Sequence, residues 1–431
     1  MSELKQHLGL FQTTMYGVGL ILGAGIYALI GNAAGIAGNS VWMSFILAAF
    51  AAIFTGLSYA ELSSMYPKAA AEYSFIKNAF SNNFIAFLVG WLTLFVAIIS
   101  AAAISLGFAG YFIQIFQIPI ILVAILIIVI LSLVNFFGIR ESSSMNVVFT
   151  VIEAVGLIIV IWAGFTTNST NLNYFEMSHG FSGIFSAFAL VFFAYVGFEN
   201  IVNVAEEVKN PKKVLPQAII LAVAITAVIY ILVAVSAVRV LSWQDLSNST
   251  APLADVIRKS LGNQWGFGIL IIALFATTNT ILMMLVSGSR ILYGIARDKA
   301  LPLFFSRVHE KRKTPWVGVI VIGALSACFV FVGDIGIVAD ISVFSIIMVF
   351  VLVNLSLIWL RYKSTNVVRE FKSPINVGKF PVLAVLGIVT PIIGVIHLSA
   401  FVIVMGFTVV GSGALFYFIY NRIFSKRKQI M

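Results

Sequence analysis

Two acidic residues stand where the sequence is otherwise apolar. Glu153 lies in the run VFTVIEAVGLIIVIW, and Glu199 lies in FFAYVGFENIVNVAEE, two residues after Gly197. A carboxyl at bilayer depth is costly and marks a functional site by default. Glu153 is nine residues past Ser144, which places it about 13 Å into its apolar run. It is either a structural carboxyl bonded between helices or a site for a proton or cation, and burial favours the neutral form that a proton site needs. Glycines at 17, 19, 23 and 25 interrupt the first apolar run, YGVGLILGAGIYALIG. Each weakens a helix by about 1 kcal/mol relative to alanine. Close helix packing through small residues accounts for such glycines. So does a broken helix whose free N–H groups face a carboxylate and whose free C=O groups face an ammonium or a cation. The run Ala276-Thr-Thr-Asn-Thr280 has the same two readings. Its hydroxyls bond carbonyls of their own helix, or together they line a cation site.

The elements that must carry these residues follow from composition. The chain has 431 residues, 61% hydrophobic and 10% charged. That is too apolar for a soluble domain or for disorder. The apolar runs are continuous rather than alternating, which excludes a β-barrel. Each run matches the roughly 20 residues that span a bilayer as a helix. The reading is an all-α polytopic membrane protein with twelve transmembrane helices. They lie at 11–33, 40–63, 84–113, 119–138, 144–165, 182–205, 215–240, 266–292, 316–333, 335–360, 381–399 and 401–421. The link between spans 9 and 10, around Gly333-Asp334, is very short. One transmembrane domain, residues 1–431, accounts for the whole chain. The loop 242–264 is the longest on its side, and Ala254 to Leu261 within it is expected to form a short amphipathic helix.

The net charge of +10 is explained by orientation. With the N-terminus inside, the inner loops and C-terminus carry Lys68, Lys77, Arg140, Lys209, Lys212, Lys213, Arg297, Lys299, Arg307, Lys311, Arg312 and Lys313. They also carry Arg361, Lys363, Arg369, Lys372, Lys379, Arg422, Lys426, Arg427 and Lys428. The opposite side has Arg239, Arg258 and Lys259. This positive-inside bias puts both termini in the cytoplasm of a multi-pass protein of the cell membrane. No nucleic-acid partner is expected. One cysteine and four scattered histidines leave no disulfide framework and no metal cluster. There is no HExxH, and no paired catalytic carboxylates mark an enzyme. No cofactor is expected, and no signal peptide precedes the first span.

Spans 1 and 6 are both interrupted by glycine and are five spans apart. Interrupted segments at matching positions of two halves point to a transporter with inverted repeats. Five plus five, with two helices appended, divides the chain into 11–165, 182–360 and 381–421.

Several stretches then resemble the amino acid–polyamine–organocation (APC) superfamily. They are Gly23-Ala24-Gly25, and Tyr59-Ala-Glu-Leu-Ser-Ser-Met-Tyr-Pro67-Lys-Ala-Ala-Ala-Glu-Tyr73. Next come Phe192-Phe-Ala-Tyr-Val-Gly-Phe198-Glu, and Ala205-Glu-Glu-Val-Lys-Asn-Pro211-Lys-Lys-Val-Leu-Pro216. The last are Ser289-Arg-Ile-Leu-Tyr293, Ala296-Arg-Asp298, Leu301-Pro302 and Thr314-Pro315-Trp316. The resemblance implies the inverted-repeat fold of sodium-coupled leucine transporters, with an amino acid bound at the midplane. It implies that N–H groups of Gly23, Ala24 and Gly25 meet the substrate carboxylate. Carbonyls of Phe192, Ala194 and Tyr195 would take its ammonium, Phe193 would stack over it, and Glu199 matches an acidic position after the helix break. The family's Pro-x-x-Gly-Gly reads Pro67-Lys-Ala-Ala-Ala71 here, so this loop is expected not to rely on glycine torsions. Some proton-coupled members carry a lysine where Glu153 stands. A protonated Glu153 would donate to carbonyls around Gly19 and Leu22; a deprotonated one would ligate a cation near Thr277 and Thr278.

The expected function is secondary active amino acid transport by alternating access, with proton-coupled symport through Glu153. Sodium is the other candidate coupling ion. The rival readings are an ion-independent amino acid/polyamine exchanger, a channel, and an amino acid sensor on the same fold.

Overall fold

The computed structural model describes residues 6–167, 172–333, 335–364, 366–396 and 398–428. The side chains of Ala24, Ala28, 139–143, Asn421 and 423–428 lie outside that description, as does Asp334. Arg140, Lys426, Arg427 and Lys428, used above for orientation, are among them.

Fifteen α-helices are described: α1 (Leu10–Ala37), α2 (Val41–Met65), α3 (Ala71–Phe80), α4 (Asn83–Phe112), α5 (Ile120–Phe137), α6 (Ile139–Thr166), α7 (Gly180–Tyr195) and α8 (Pro211–Val240). They continue as α9 (Trp243–Asn248), α10 (Pro252–Leu261), α11 (Asn263–Arg297), α12 (Trp316–Phe329), α13 (Ile335–Lys363), α14 (Val382–Val395) and α15 (Ala400–Lys428). A 3-10 segment, Phe198–Glu207, prolongs α7. Two short strands, β1 (Asn376–Val377) and β2 (Phe380–Pro381), pair antiparallel between α13 and α14.

Among the described residues, ten helices are long and apolar enough to cross a membrane. The expected ninth and eleventh spans are the shorter apolar helices Trp316–Val332 and Val382–Val395. Backbone groups have no water partner in a bilayer, so these runs bond internally as helices. Burial sorts them. The α1 window is 76% buried, against 28% for α5 and 22% for α15, so α1 is central and the other two present side chains outward. Packing partners recur five spans apart: α1 on α7, α2 on α8, and α4 on α11.

The loop after α2 holds a helix that the hydropathy pattern did not mark. In α3, Ala71, Glu72, Tyr73, Ser74, Phe75, Ile76 and Ala79 are buried, so packing rather than propensity makes this helix. Ala70 precedes it at φ 52°, ψ 55°. This corrects the expectation that the loop does without glycine torsions: the left-handed turn is present and alanine adopts it. The cost is about 1–2 kcal/mol. In the long loop of the other end, α10 forms where an amphipathic helix was expected, and α9 forms beside it.

The loops at 66–70, 208–210, 298–315 and 366–375 gather at one end, the basic end. Glu61 of α2 is buried there against Arg361 of α13, whose Nε and Nη2 donate at 2.6 and 2.5 Å. Such a two-pronged, charge-assisted pair offsets its own desolvation through geometry. Glu206 takes Arg297 Nη2 at 2.6 Å and the Ala69 N–H at 3.2 Å. Lys77 and Tyr73 both bond Asp298. The chain before α1 is fastened to the end of the 3-10 segment: His7 and Leu8 N–H donate to Glu207 O at 2.9 and 3.0 Å, and Lys209 N–H donates to Leu8 O at 2.8 Å.

Candidate substrate and coupling site

Helix α1 leaves helical geometry at Gly23 (φ −45°, ψ −111°). A Cβ there would stand 1.5 Å from Thr280 Oγ1 of α11, so no larger residue fits. Helix α7 ends at Tyr195. Val196 is extended, and Gly197 takes φ 140° before the 3-10 segment begins, a torsion that glycine supplies at little cost. The two breaks lie against each other. A Cβ on Gly25 would meet Ala194 Cα at 2.3 Å, and one on Gly197 would meet Leu20 C at 3.1 Å. The glycines therefore do both things offered above: they break the helix and they permit the close approach.

Around this crossing is a small cavity of about 10 Å³, the room of one water. Its lining is Leu20, Ile21, Gly25, Ser100, Ile104, Phe193, Ala194, Val196, Thr280 and Met284. The site is closed, and it is apolar apart from two hydroxyls and the broken backbone. Toward the opposite end, a cavity of about 610 Å³ is lined by Asn32, Ser186, Ser247 and Asp340 among others.

Of the residues matched to substrate binding, Gly25, Phe193 and Ala194 line the cavity, and Gly23 abuts Thr280, which does. The side chain of Phe192 packs on Phe350, edge to face at 6.0 Å. Tyr195 donates to Phe45 O at 3.2 Å. The side chain of Ala24 lies outside the described residues. Glu199 is buried but turned back on its own chain. It accepts from Gly197 N–H at 2.8 Å and Asn200 Nδ2 at 2.9 Å, bracing the break rather than lining the cavity.

Behind the break of α1 is a polar cluster around Glu153. Its Oε1 accepts from Asn279 Nδ2 at 3.1 Å. Asn279 also reaches Thr150 Oγ1 at 3.3 Å, and Asn146 Nδ2 donates to Asn279 Oδ1 at 3.1 Å. Glu153 Oε2 and Asn146 Oδ1 have no partner among the described residues. All four side chains are buried. Gly19 closes the cluster from α1: a Cβ there would collide with Thr150 Oγ1 at 2.1 Å, Asn146 Nδ2 at 2.6 Å and Asn279 Nδ2 at 2.7 Å. A relay ties the main chain beside it, with Tyr111 donating to Tyr27 O at 2.5 Å and Tyr27 to Glu153 O at 3.2 Å. Leu22 is fully buried nearby in sequence. Thr277 and Thr278 are not brought to Glu153 by their hydroxyls, which bond Ala273 O at 2.8 Å and Leu274 O at 2.6 Å on their own helix.

Sequence reasoning passed over Asn146, Thr150 and Tyr230, while Asn279 and Thr280 belong to the polar run of the eighth span that it did mark. Asn146, Thr150 and Glu153 recur at steps of four and three, one helix face, and that spacing was the available signal. Tyr230 offered none. Its hydroxyl, from α8, lies on Ile21 O and, at 3.2 Å, on Ala194 O. It thereby partners carbonyls freed at both breaks.

Comparison with known proteins agrees with this arrangement. The profile of the amino acid permease family matches residues 8–423. The branched-chain amino acid permease of Bacillus subtilis is 32% identical over 99% of this chain and 95% of its own length. A vacuolar cationic amino acid transporter of Arabidopsis thaliana is 31% identical over 84% of this chain and 64% of its own length. The methylthioribose transporter of B. subtilis is 29% identical over 97% and 94%. With two broken helices crossing at a buried site and this match along nearly its whole length, the chain belongs to the amino acid permease family of the APC superfamily, a multi-pass membrane transporter and not an enzyme.

Proposed function

We propose that this permease moves neutral, apolar amino acids, the branched-chain ones first, across the cell membrane by alternating access, in symport with a proton carried by Glu153. The observation that carries the substrate class is the lining of the central cavity. Leu20, Ile21, Ile104, Val196 and Met284 surround it and no charged side chain does. A cationic substrate side chain would be left there without a counter-charge. The name of the B. subtilis relative, a branched-chain permease, agrees. The main-chain head of the substrate would be held by the broken backbone around Gly23, Ala24 and Gly25 and by the carbonyls near Ala194, where Tyr230 now sits.

The twelve-span layout, the five-plus-five inverted repeat and the cytoplasmic position of the basic end belong to the same proposal. Packing of helices five spans apart and the loop charges support them. Glu153 is proposed as the proton carrier because it is buried and one of its oxygens has no partner among the described residues. The same oxygens would suit sodium, so the coupling ion is tested directly. In proteoliposomes, a pH gradient is expected to drive L-leucine accumulation in choline medium. Glu153→Gln is expected to abolish that accumulation and spare leucine exchange. Wild-type pH dependence in the variant overturns proton coupling through Glu153. Accumulation that needs sodium, or exchange without accumulation in the wild type, selects the alternatives.

A further inference from the structure

A cavity of about 580 Å³ lies at the basic end, between the loop 66–70, α3, the start of α4 and the end of α11. That is within the roughly 300–1,000 Å³ that organic ligands occupy. Its charged lining is Lys68, Lys77, Arg297 and Asp298, and Ser81 and Asn83 add a hydroxyl and an amide. The transport reading uses none of these residues.

The cations are held in place. Lys77 bonds Asp298 and reaches the Tyr73 hydroxyl at 3.3 Å, while Tyr73 donates to the same Asp298 oxygen at 2.5 Å. Arg297 donates to the two Glu206 oxygens at 2.6 and 3.0 Å, with its guanidinium 5.3 Å over the Tyr293 ring. Lys68 has no carboxylate partner among the described residues. A further cation touches the lining, since Lys363 Nζ donates to Ser81 Oγ at 3.0 Å. Four cations (Lys68, Lys77, Arg297 and Lys363) thus stand against two carboxylates (Asp298 and Glu206). Like charges gathered in a cleft concentrate anions there, and donors already ordered bind at less entropic cost. An excess of two positive charges matches one phosphomonoester, or two phosphodiesters. The side chains carry this site rather than the α4 N-terminus, whose Phe84 and Ile85 N–H groups already donate to Asn82 Oδ1 at 2.9 and 3.1 Å.

The neighbours of the cavity indicate where such an anion comes from. Phe84, next to Asn83 of the lining, packs on Tyr417 and Phe418 of α15 at 5.1 and 5.3 Å, and Phe418 is 61% exposed. Aromatic side chains gather at headgroup depth. Basic pockets between helices at the inner face of a membrane suit anionic lipid headgroups.

We propose that the cavity between α3, the start of α4 and the end of α11 binds a phosphate-bearing anion, supplied by the headgroup of an anionic phospholipid. Lys68 and Lys77 take the phosphate oxygens as point charges, and Arg297 adds directed N–H donors. Glu206 also accepts the Ala69 N–H at 3.2 Å, so through it the site touches the 3-10 segment that follows the break in α7. The site does not depend on the substrate or coupling reading above; the inner leaflet follows from the orientation proposed there.

The test is native mass spectrometry of the full-length protein in detergent, titrated with phosphatidylglycerol and, separately, with zwitterionic phosphatidylcholine. One phosphatidylglycerol is expected to bind at least tenfold more tightly than phosphatidylcholine. Lys68→Gln combined with Lys77→Gln should weaken it at least tenfold and leave phosphatidylcholine within twofold. Lys311→Gln combined with Lys313→Gln removes the same charge from the same end but outside the cavity, and should change phosphatidylglycerol binding less than twofold. Equal losses in the two double variants show diffuse attraction to the basic end and overturn the site. If the first double variant does not fold, Lys68→Gln alone decides, because Lys68 has no ion pair to lose: a threefold loss is expected, and no change overturns the site. Inorganic phosphate and glycerophosphoglycerol at millimolar concentration separate the sources. Lipid that stays bound supports the headgroup. Its displacement by either compound overturns the lipid source and assigns the phosphate site to a soluble compound.

Discussion

Asn279 Nδ2 donates to Glu153 Oε1 at 3.1 Å, across 126 positions of sequence. The contact joins α11 to α6 directly behind Gly19. It is the buried carboxyl's one side-chain donor among the described residues, so Asn279 orders the group proposed to carry the proton. Asn279→Ala is therefore expected to lower pH-driven leucine accumulation at least fivefold while exchange at constant pH falls less than twofold. Uptake with and without a pH gradient checks it. An equal fall in both would show that Asn279 only packs.

The crossing of the two breaks leaves no room at Gly25. Gly25→Ala places a methyl 2.3 Å from Ala194 Cα, and backbone does not yield as a side-chain tip does. Overpacking of this kind costs about 1–3 kcal/mol. The expected result is a lower melting temperature in detergent and at least tenfold slower exchange. Gly110→Ala, where a Cβ meets nothing within 4 Å, is the control and should change neither.

Ala70 gives the opposite opportunity. It holds φ 52°, which disfavours any residue with a Cβ. Ala70→Gly should raise stability by up to about 1 kcal/mol, the relief being offset in part by the greater freedom of glycine in the unfolded chain. Thermal unfolding followed by tryptophan fluorescence measures it. Ala70→Val should lower stability.

Glu72 makes stability depend on pH. Burial pushes its carboxyl up to about 8, with the Glu199 charge adding to that and the Tyr59 and Asn203 side chains opposing it. An acid raised in the folded state contributes fully below its unfolded value near 4.5 and loses that contribution as pH rises toward 8. The loss amounts to at most about 1.4 kcal/mol per pH unit across that window. Between pH 5 and pH 8.5 the melting temperature of the wild type should fall more than that of Glu72→Gln. Parallel curves would show that Glu72 does not titrate in this window.

What the sequence alone determined is the material and its rhythm. Continuous apolar runs with almost no charge demand helices that bond internally, and the clustering of lysine and arginine in alternate loops separates the basic end from the other. Glycine inside the first and sixth runs marked where the helices break, because few other residues leave a helix so readily. The two intramembrane acids were visible for the same reason, as charges among apolar neighbours. What the fold alone decided is which groups meet. Thr277 and Asn279 are two positions apart, about 200° around a helix, so only one of them can face Glu153, and a run of polar letters does not say which. Glu199 looks toward a substrate on paper but is turned back onto Gly197 and Asn200. Tyr230 reaches Ile21 from 209 positions away, and Arg290 reaches Asn135 from 155 positions away. Such meetings depend on helix rotation and packing between distant segments, and no local pattern of residues encodes them.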